Sequence, residues 1–100
     1  MTEQSARADT YKRQFLQKGL PVLKKYNIQG VYLFGSVANG RCRKRSDIDL
    51  YVYPLEAKQY WSFRHELEEV VQLPIDLYTD SDDSAFVQKI VNRGVRIYGL

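Results

Sequence analysis

The most constraining stretch of this chain lies in its middle, where Leu33 to Val52 reads LFGSVANGRCRKRSDIDLYV. Val31-Tyr32-Leu33-Phe34 is a short β-rich run closed at once by Gly35, which predicts a buried strand. From Asp47 to Tyr53 charged or polar residues alternate with apolar ones, and Pro54 stops the run. That period predicts a second strand with two unlike faces. Asp47 and Asp49, spaced i and i+2, share one face. Ile48, Leu50 and Val52 share the other and point toward a core. Whatever else the chain does, it must build a sheet around these strands and cover one side of it.

The rest of the sequence supplies the cover. From Thr10 to Tyr26 the apolar residues Tyr11, Phe15, Leu16, Leu20, Leu23 and Tyr26 recur at helical spacing. Gly19 and Pro21 predict a kink or a second short helix within this run. Residues 1–9 are polar and are expected to fray. Lys58 to Gln72 is the clearest helix, with a stripe of Tyr60, Phe63, Leu67, Val70 and Val71. Ile75 to Tyr78 predicts another strand. Asp80 to Asp83 suits a helix N-terminus, Phe86, Val87, Ile90 and Val91 line the helix that follows, and Gly94 fits its C-terminal cap. Val95 to Tyr98 predicts a last strand. The alternation of helices and strands predicts an α/β (α+β) fold, a small mixed sheet with helices packed on it, formed as one domain over 1–100.

Composition narrows the class. The chain has 100 residues, 44 % apolar and 27 % charged, which is ordinary for a globular domain. One cysteine, Cys42, allows no internal disulfide, so a disulfide-stapled secreted scaffold is excluded. No apolar run approaches the roughly 20 residues needed to cross a membrane, and a cytoplasmic location is the expectation. A net charge of +3 is too small to argue nucleic-acid binding.

The chemistry concentrates in the central stretch. Two carboxylates side by side on a strand repel one another. A hard divalent cation with oxygen ligands resolves that, and Mg²⁺ in particular takes one or two carboxylates together with substrate phosphates. Gly35 permits a tight turn and close backbone approach, and the following N–H groups with the Ser36 hydroxyl can bind phosphate oxygens. Asp76 stands in the next predicted strand. If that strand lies beside the one carrying Asp47 and Asp49, three carboxylates converge and two metals can bind about 4 Å apart. Gly-Ser or Asp-x-Asp alone is a common accident. Their combination at this spacing, with strands on both sides, points to a metal–nucleotide site.

These residues resemble a known family. Phe34-Gly35-Ser36, a spacer, and Asp47-Ile48-Asp49-Leu50 match the minimal nucleotidyltransferase domains, a compact branch of the DNA polymerase β-like nucleotidyltransferase superfamily. Ile75-Asp76-Leu77 resembles its third acidic strand, and Ile90 to Tyr98 its C-terminal segment. One departure is Ala38-Asn39-Gly40, where many members have Ala-Arg-Gly. Arg41 or Arg43 is then the candidate for the charge near the phosphates. The resemblance implies transfer of AMP from ATP to an acceptor hydroxyl with release of pyrophosphate. Asp47, Asp49 and Asp76 would bind two Mg²⁺ ions, Asp76 would accept the hydroxyl proton, and Gly35 and Ser36 would hold the triphosphate. It also implies a role as antitoxin to a small helical HEPN-type ribonuclease toxin, modified on a tyrosine within a hetero-oligomer. Neutralisation by binding alone is the alternative, and modification of a small molecule such as an antibiotic a third reading.

Other residues carry plainer expectations. The basic run Arg41, Arg43, Lys44 and Arg45 is either a solvated loop or a contact for the triphosphate or an acidic partner. Trp61 is expected to be buried against the sheet, with an exposed anchor for a partner as the alternative, and Phe34 is expected in the core. Tyr51 and Tyr53 either stack on a base or cover the sheet. His65 belongs to a charged helix face.

Overall fold

The computed structural model describes residues 3–35 and 48–99, with side chains from residue 6 onward. Helix α1 spans Glu3–Lys25 and strand β1 Gly30–Phe34. Strand β2 spans Ile48–Tyr53 and leads through a single 3-10 turn, Ala57–Gln59, into helix α2, Tyr60–Val71. Strand β3 covers Ile75–Thr79, helix α3 Ser84–Arg93 and strand β4 Val95–Gly99. The four strands form one mixed sheet in the order β3-β2-β1-β4. β1 is antiparallel to both β2 and β4, whereas β2 and β3 run parallel.

Strand alternation sorts the residues onto two faces, as the sequence predicts. Val31, Leu33, Ile48, Leu50, Val52, Ile75 and Leu77 are all buried and join Phe15, Val22 and Leu23 of α1 and Phe63, Leu67 and Val71 of α2 in one core. Closing these apolar surfaces against each other is the main stabilising term of the fold.

Helix α1 departs from expectation in its extent. It is one continuous helix through Gly19 and Pro21 with no second helix begun at Pro21, and it starts at Glu3 instead of leaving residues 3–9 frayed. Both follow from packing against α2 and the core. Ala8 is buried and so anchors the first turns. A Cβ on Gly19 would lie only 3.1 Å from Leu67 Cδ1, so the missing side chain lets the two helices approach. Val22 and Leu23, buried just beyond Pro21, hold the last turns in place. The Gln14 amide donates to the Val71 carbonyl at 2.7 Å, satisfying an orphan acceptor at the end of α2. Lys25 Nζ meets Glu66 Oε1 at 2.5 Å, and the Tyr26 hydroxyl donates to Glu66 Oε2.

Helix α2 buries Phe63, Leu67 and Val71. Val70, assigned to the same stripe, is instead exposed. Trp61 is 72 % exposed, so it does not lie against the sheet. Its position next to Tyr60 puts it on the outer flank, where its ring stacks edge-on with Tyr60 and under the Arg64 guanidinium. His65 is exposed and 3.7 Å from Glu69, as a charged helix face requires.

Helix α3 has the expected N-terminal cap, with Asp83 accepting from the Ala85 and Phe86 N–H groups. Gly94 closes it with extended backbone, φ −83°. Its glycine is explained by crowding, since a Cβ would sit 2.7 Å from the Ile90 carbonyl and 3.0 Å from that of Leu33.

Candidate functional site

The second face of the sheet carries the candidate site. Asp49 of β2 is the register partner of Asp76 in β3 and of Phe34 in β1. Residues directly opposite on neighbouring strands project to the same face. The two carboxylates are thus brought together by the parallel β2–β3 ladder, the arrangement expected from the spacing. Tyr51 and Tyr78 are the next pair along that ladder. Burial first, and then the negative charges of Asp76 and Asp49, hold the Tyr78 phenol above its ordinary range, so both carboxylates act on one ring.

Gly35 closes β1 directly beside this pair. Its φ of +74° lies in the left-handed region that favours glycine. A Cβ there would overlap the Asp49 carboxylate, with Asp49 Cγ only 3.0 Å away. Gly35 therefore does two jobs that a larger residue cannot. It turns the chain out of the strand and leaves room for the carboxylate over its backbone.

Ser36, Arg41, Arg43 and Asp47, together with Cys42 and the rest of the basic run, lie outside the described residues. The described part of the site is Gly35, Asp49 and Asp76. Among the described residues no three potential metal-ligating side chains converge. Asp49 and Asp76 nevertheless fit a hard cation by donor chemistry, because both are oxygen ligands and Mg²⁺ needs no more than two from the protein.

Phe34 corrects an expectation. It is half-buried on the carboxylate face, where its ring packs 5.5 Å from that of Tyr78. Tyr78 in turn lies 5.1 Å from Phe86 of α3. Helix α3 thus approaches the same face as the carboxylates. A cavity of about 360 Å³ opens beside Gly35, lined by Phe34, Phe86, Lys89, Ile90 and Arg93. The reading from sequence missed Lys89 and Arg93. The available signal was their i,i+4 spacing on a helix that ends where β1 ends.

Toward the other end of the same face, Tyr51 and Tyr53 settle as sheet cover. Tyr51 is buried, with ring centroids 5.4 Å from Tyr53 and 6.2 Å from Tyr32. Arg96 lies over the Tyr32 ring and donates to the Tyr53 hydroxyl at 2.9 Å. A larger hollow, about 580 Å³, borders Tyr53, Arg96 and Tyr98 at this end, away from the carboxylates. Its residues bring no acidic group to a metal.

No helix among the described residues is long and apolar enough to cross a membrane. Comparison with known proteins agrees with the geometry. A protein of Methanocaldococcus jannaschii named a putative protein adenylyltransferase is 33 % identical over 87 residues, 79 % of this chain and 86 % of that protein. A crystal structure of a toxin-antitoxin with AMP-PNP contains a chain of similar fold, with TM-score 0.71 and 27 % identity over 84 % of this chain and 73 % of that one. A second complex, of a tri-AMPylated Shewanella oneidensis HEPN toxin with its MNT antitoxin, aligns with TM-score 0.63 and 23 % identity over 89 % of this chain and 73 % of that one. The family described as "Polymerase beta, Nucleotidyltransferase" matches residues 17–100, which span every strand, the Gly35 turn and both described carboxylates. With that match over most of its length, and a sheet that pairs Asp49 with Asp76 beside Gly35, the chain belongs to the polymerase beta nucleotidyltransferase family.

Proposed function

We propose that this chain is a Mg²⁺-dependent protein adenylyltransferase, moving AMP from ATP to a tyrosine hydroxyl of a HEPN-type toxin and acting as that toxin's antitoxin. The observation that carries the reading is the register pairing of Asp49 with Asp76 beside the left-handed turn at Gly35. The relative named an adenylyltransferase and the complexes with AMP-PNP and with an AMPylated HEPN toxin support the nucleotide and the partner.

Asp49 and Asp76, with Asp47 two residues before Asp49, are the groups that would hold the metal ions. Bound Mg²⁺ would neutralise phosphate charge and lower the pKa of the attacking hydroxyl. The chain's own residues supply position. Gly35 gives the triphosphate close access to backbone, and Ser36 follows it with a hydroxyl. Arg41 and Arg43 are the proposed cations of the connecting segment. Asp76 takes the acceptor's proton as its oxygen bonds to the α-phosphorus. Transfer of this kind depends on alignment and charge stabilisation more than on covalent help from the protein.

The test is label transfer. The chain is incubated with MgCl₂, α-phosphate-labelled ATP and a candidate HEPN toxin, alongside Asp76→Asn. Label on the toxin, mapped to tyrosine by mass spectrometry and lost in the variant or with excess chelator, supports the reading. A stable complex without label, in which Asp76→Asn still neutralises the toxin, would replace it with neutralisation by binding alone.

A further inference from the structure

Helix α3 presents a pair of cations to a cavity that the carboxylates do not fill. Lys89 and Arg93 are one turn apart and so share a flank of the helix. Both line the 360 Å³ space beside Gly35, together with Phe34, Phe86 and Ile90. Among the described residues, neither makes an ion pair or side-chain hydrogen bond. Arg93 lies in the last turn of α3, where it offsets the helix dipole. That role does not extend to Lys89, nor does it account for the cavity.

Charge decides what fits. Asp49 lies against Gly35, which lines the cavity, and Asp76 is its register partner on the next strand, so an α-phosphate held by Asp49 has the cavity near its side. The nucleoside on one side of that phosphate is neutral. The β- and γ-phosphates on the other side carry most of the ligand's negative charge. Two cations at fixed spacing match the second group.

We propose that Lys89 and Arg93 are positioning residues for the β- and γ-phosphates, and that the cavity beside Gly35 is the seat of the departing pyrophosphate. This rests on the proposed nucleotidyl transfer. In that step the acceptor oxygen bonds to the α-phosphorus, and the bond from the α-phosphorus to the oxygen bridging to the β-phosphate breaks. The bonding pair leaves on pyrophosphate, and the acceptor's proton passes to Asp76. Charge therefore builds on the oxygens facing Lys89 and Arg93, where preorganised cations act most strongly.

The test is calorimetric binding of AMP-PNP, AMP and pyrophosphate, in MgCl₂, to the full chain and to a Lys89→Ala/Arg93→Ala variant. Both side chains are exposed, so the variant retains the fold, which circular dichroism verifies. The expected result is a loss of about tenfold or more for AMP-PNP and pyrophosphate, with AMP binding within about twofold of the original. Lys89→Arg should restore most of the loss. In turnover, KM for ATP rises and inhibition by pyrophosphate weakens. An equal loss for AMP and AMP-PNP overturns the proposal and seats the nucleoside in the cavity. Unchanged affinities in a chain that binds AMP-PNP overturn it while leaving the transfer reading intact. A wild-type chain that binds none of the three overturns both.

Discussion

The two faces of this sheet are made by the same strands and obey opposite rules. On the helix-covered face Ile48, Leu50 and Val52 are fully buried and meet only apolar neighbours from α1 and α2. On the other face, one residue out of step, Asp49, Tyr51 and Tyr53 place a carboxylate and two phenols in a row. The first face gains free energy by removing surface from water. The second sets two like charges, Asp49 and Asp76, on adjacent strands. The difference teaches where each kind of substitution acts: the covered face governs whether the chain folds, and the open face governs what the folded chain does.

Neighbouring residues on β2 test that division most severely. Leu50→Asp should unfold the chain, because a buried unpaired charge costs a large part of the roughly 5–15 kcal/mol that holds a domain together. Asp49→Leu should leave the chain folded while abolishing transfer. Thermal melting and label transfer on the pair check both, and a collapsed Asp49→Leu variant would break the comparison.

Phe63→Ala removes the most deeply buried ring of α2 and should cost about 3–5 kcal/mol in a urea titration. Gly35→Ala sits on the boundary between the faces. The left-handed backbone alone should cost about 1–2 kcal/mol, and the added methyl displaces Asp49, so transfer should fall by at least about tenfold, equivalent to ~1.4 kcal/mol or more. Near-normal activity at reduced stability would show that the carboxylate tolerates the shift.

The smallest effect belongs to the clamp between α1 and α2. Hydrogen bonds from Lys25 and then Tyr26 hold the Glu66 carboxyl below its ordinary pKa, and Glu66 raises that of Lys25. A depressed carboxylate contributes stability above its unfolded pKa, near 4.3, and loses it as pH falls through the lower folded value. The raised Lys25 contributes below about 10.5 and loses its share as pH rises through the higher folded value. Glu66→Gln should flatten the melting temperature against pH at both flanks, with little change near neutrality, because exposed pairs are weak.

Much of this division was legible in the sequence because period two is a strict rule. It separates Asp49 from Leu50 without knowledge of the fold, and Pro74-Ile75-Asp76-Leu77 repeats the pattern for β3. What was not legible depended on which element covers which face. Phe34 ends an apolar run and reads as core, yet α3 approaches the carboxylate face and Phe34 pairs with Tyr78 there. Trp61 is expected against the sheet, yet it is exposed, and its neighbour Tyr60 takes the inward position and donates to the Leu77 carbonyl. The early turns of α1 are polar in sequence and form through Ala8, a side chain too small to register as a hydrophobic signal. Gly19 reads as a breaker and is instead a point of close contact with Leu67 of α2 inside a continuous helix.

The strand order has a last consequence. β1 and β2 are the inner strands, hydrogen-bonded on both sides, whereas β4 is an edge strand with mostly exposed side chains. Local opening follows such differences, with inner strands tied to global unfolding and edges opening at lower free energy. Asp49 therefore rides on an inner strand, and the cavity wall formed by α3 leads straight into an edge strand. The amides of Ile48–Tyr53 should accordingly be among the last to take up deuterium, and those of Val95–Gly99 among the first. In the proposed reaction the wall around a departing product can then loosen without disturbing Asp49, whereas Asp76 stands on the other edge strand, β3.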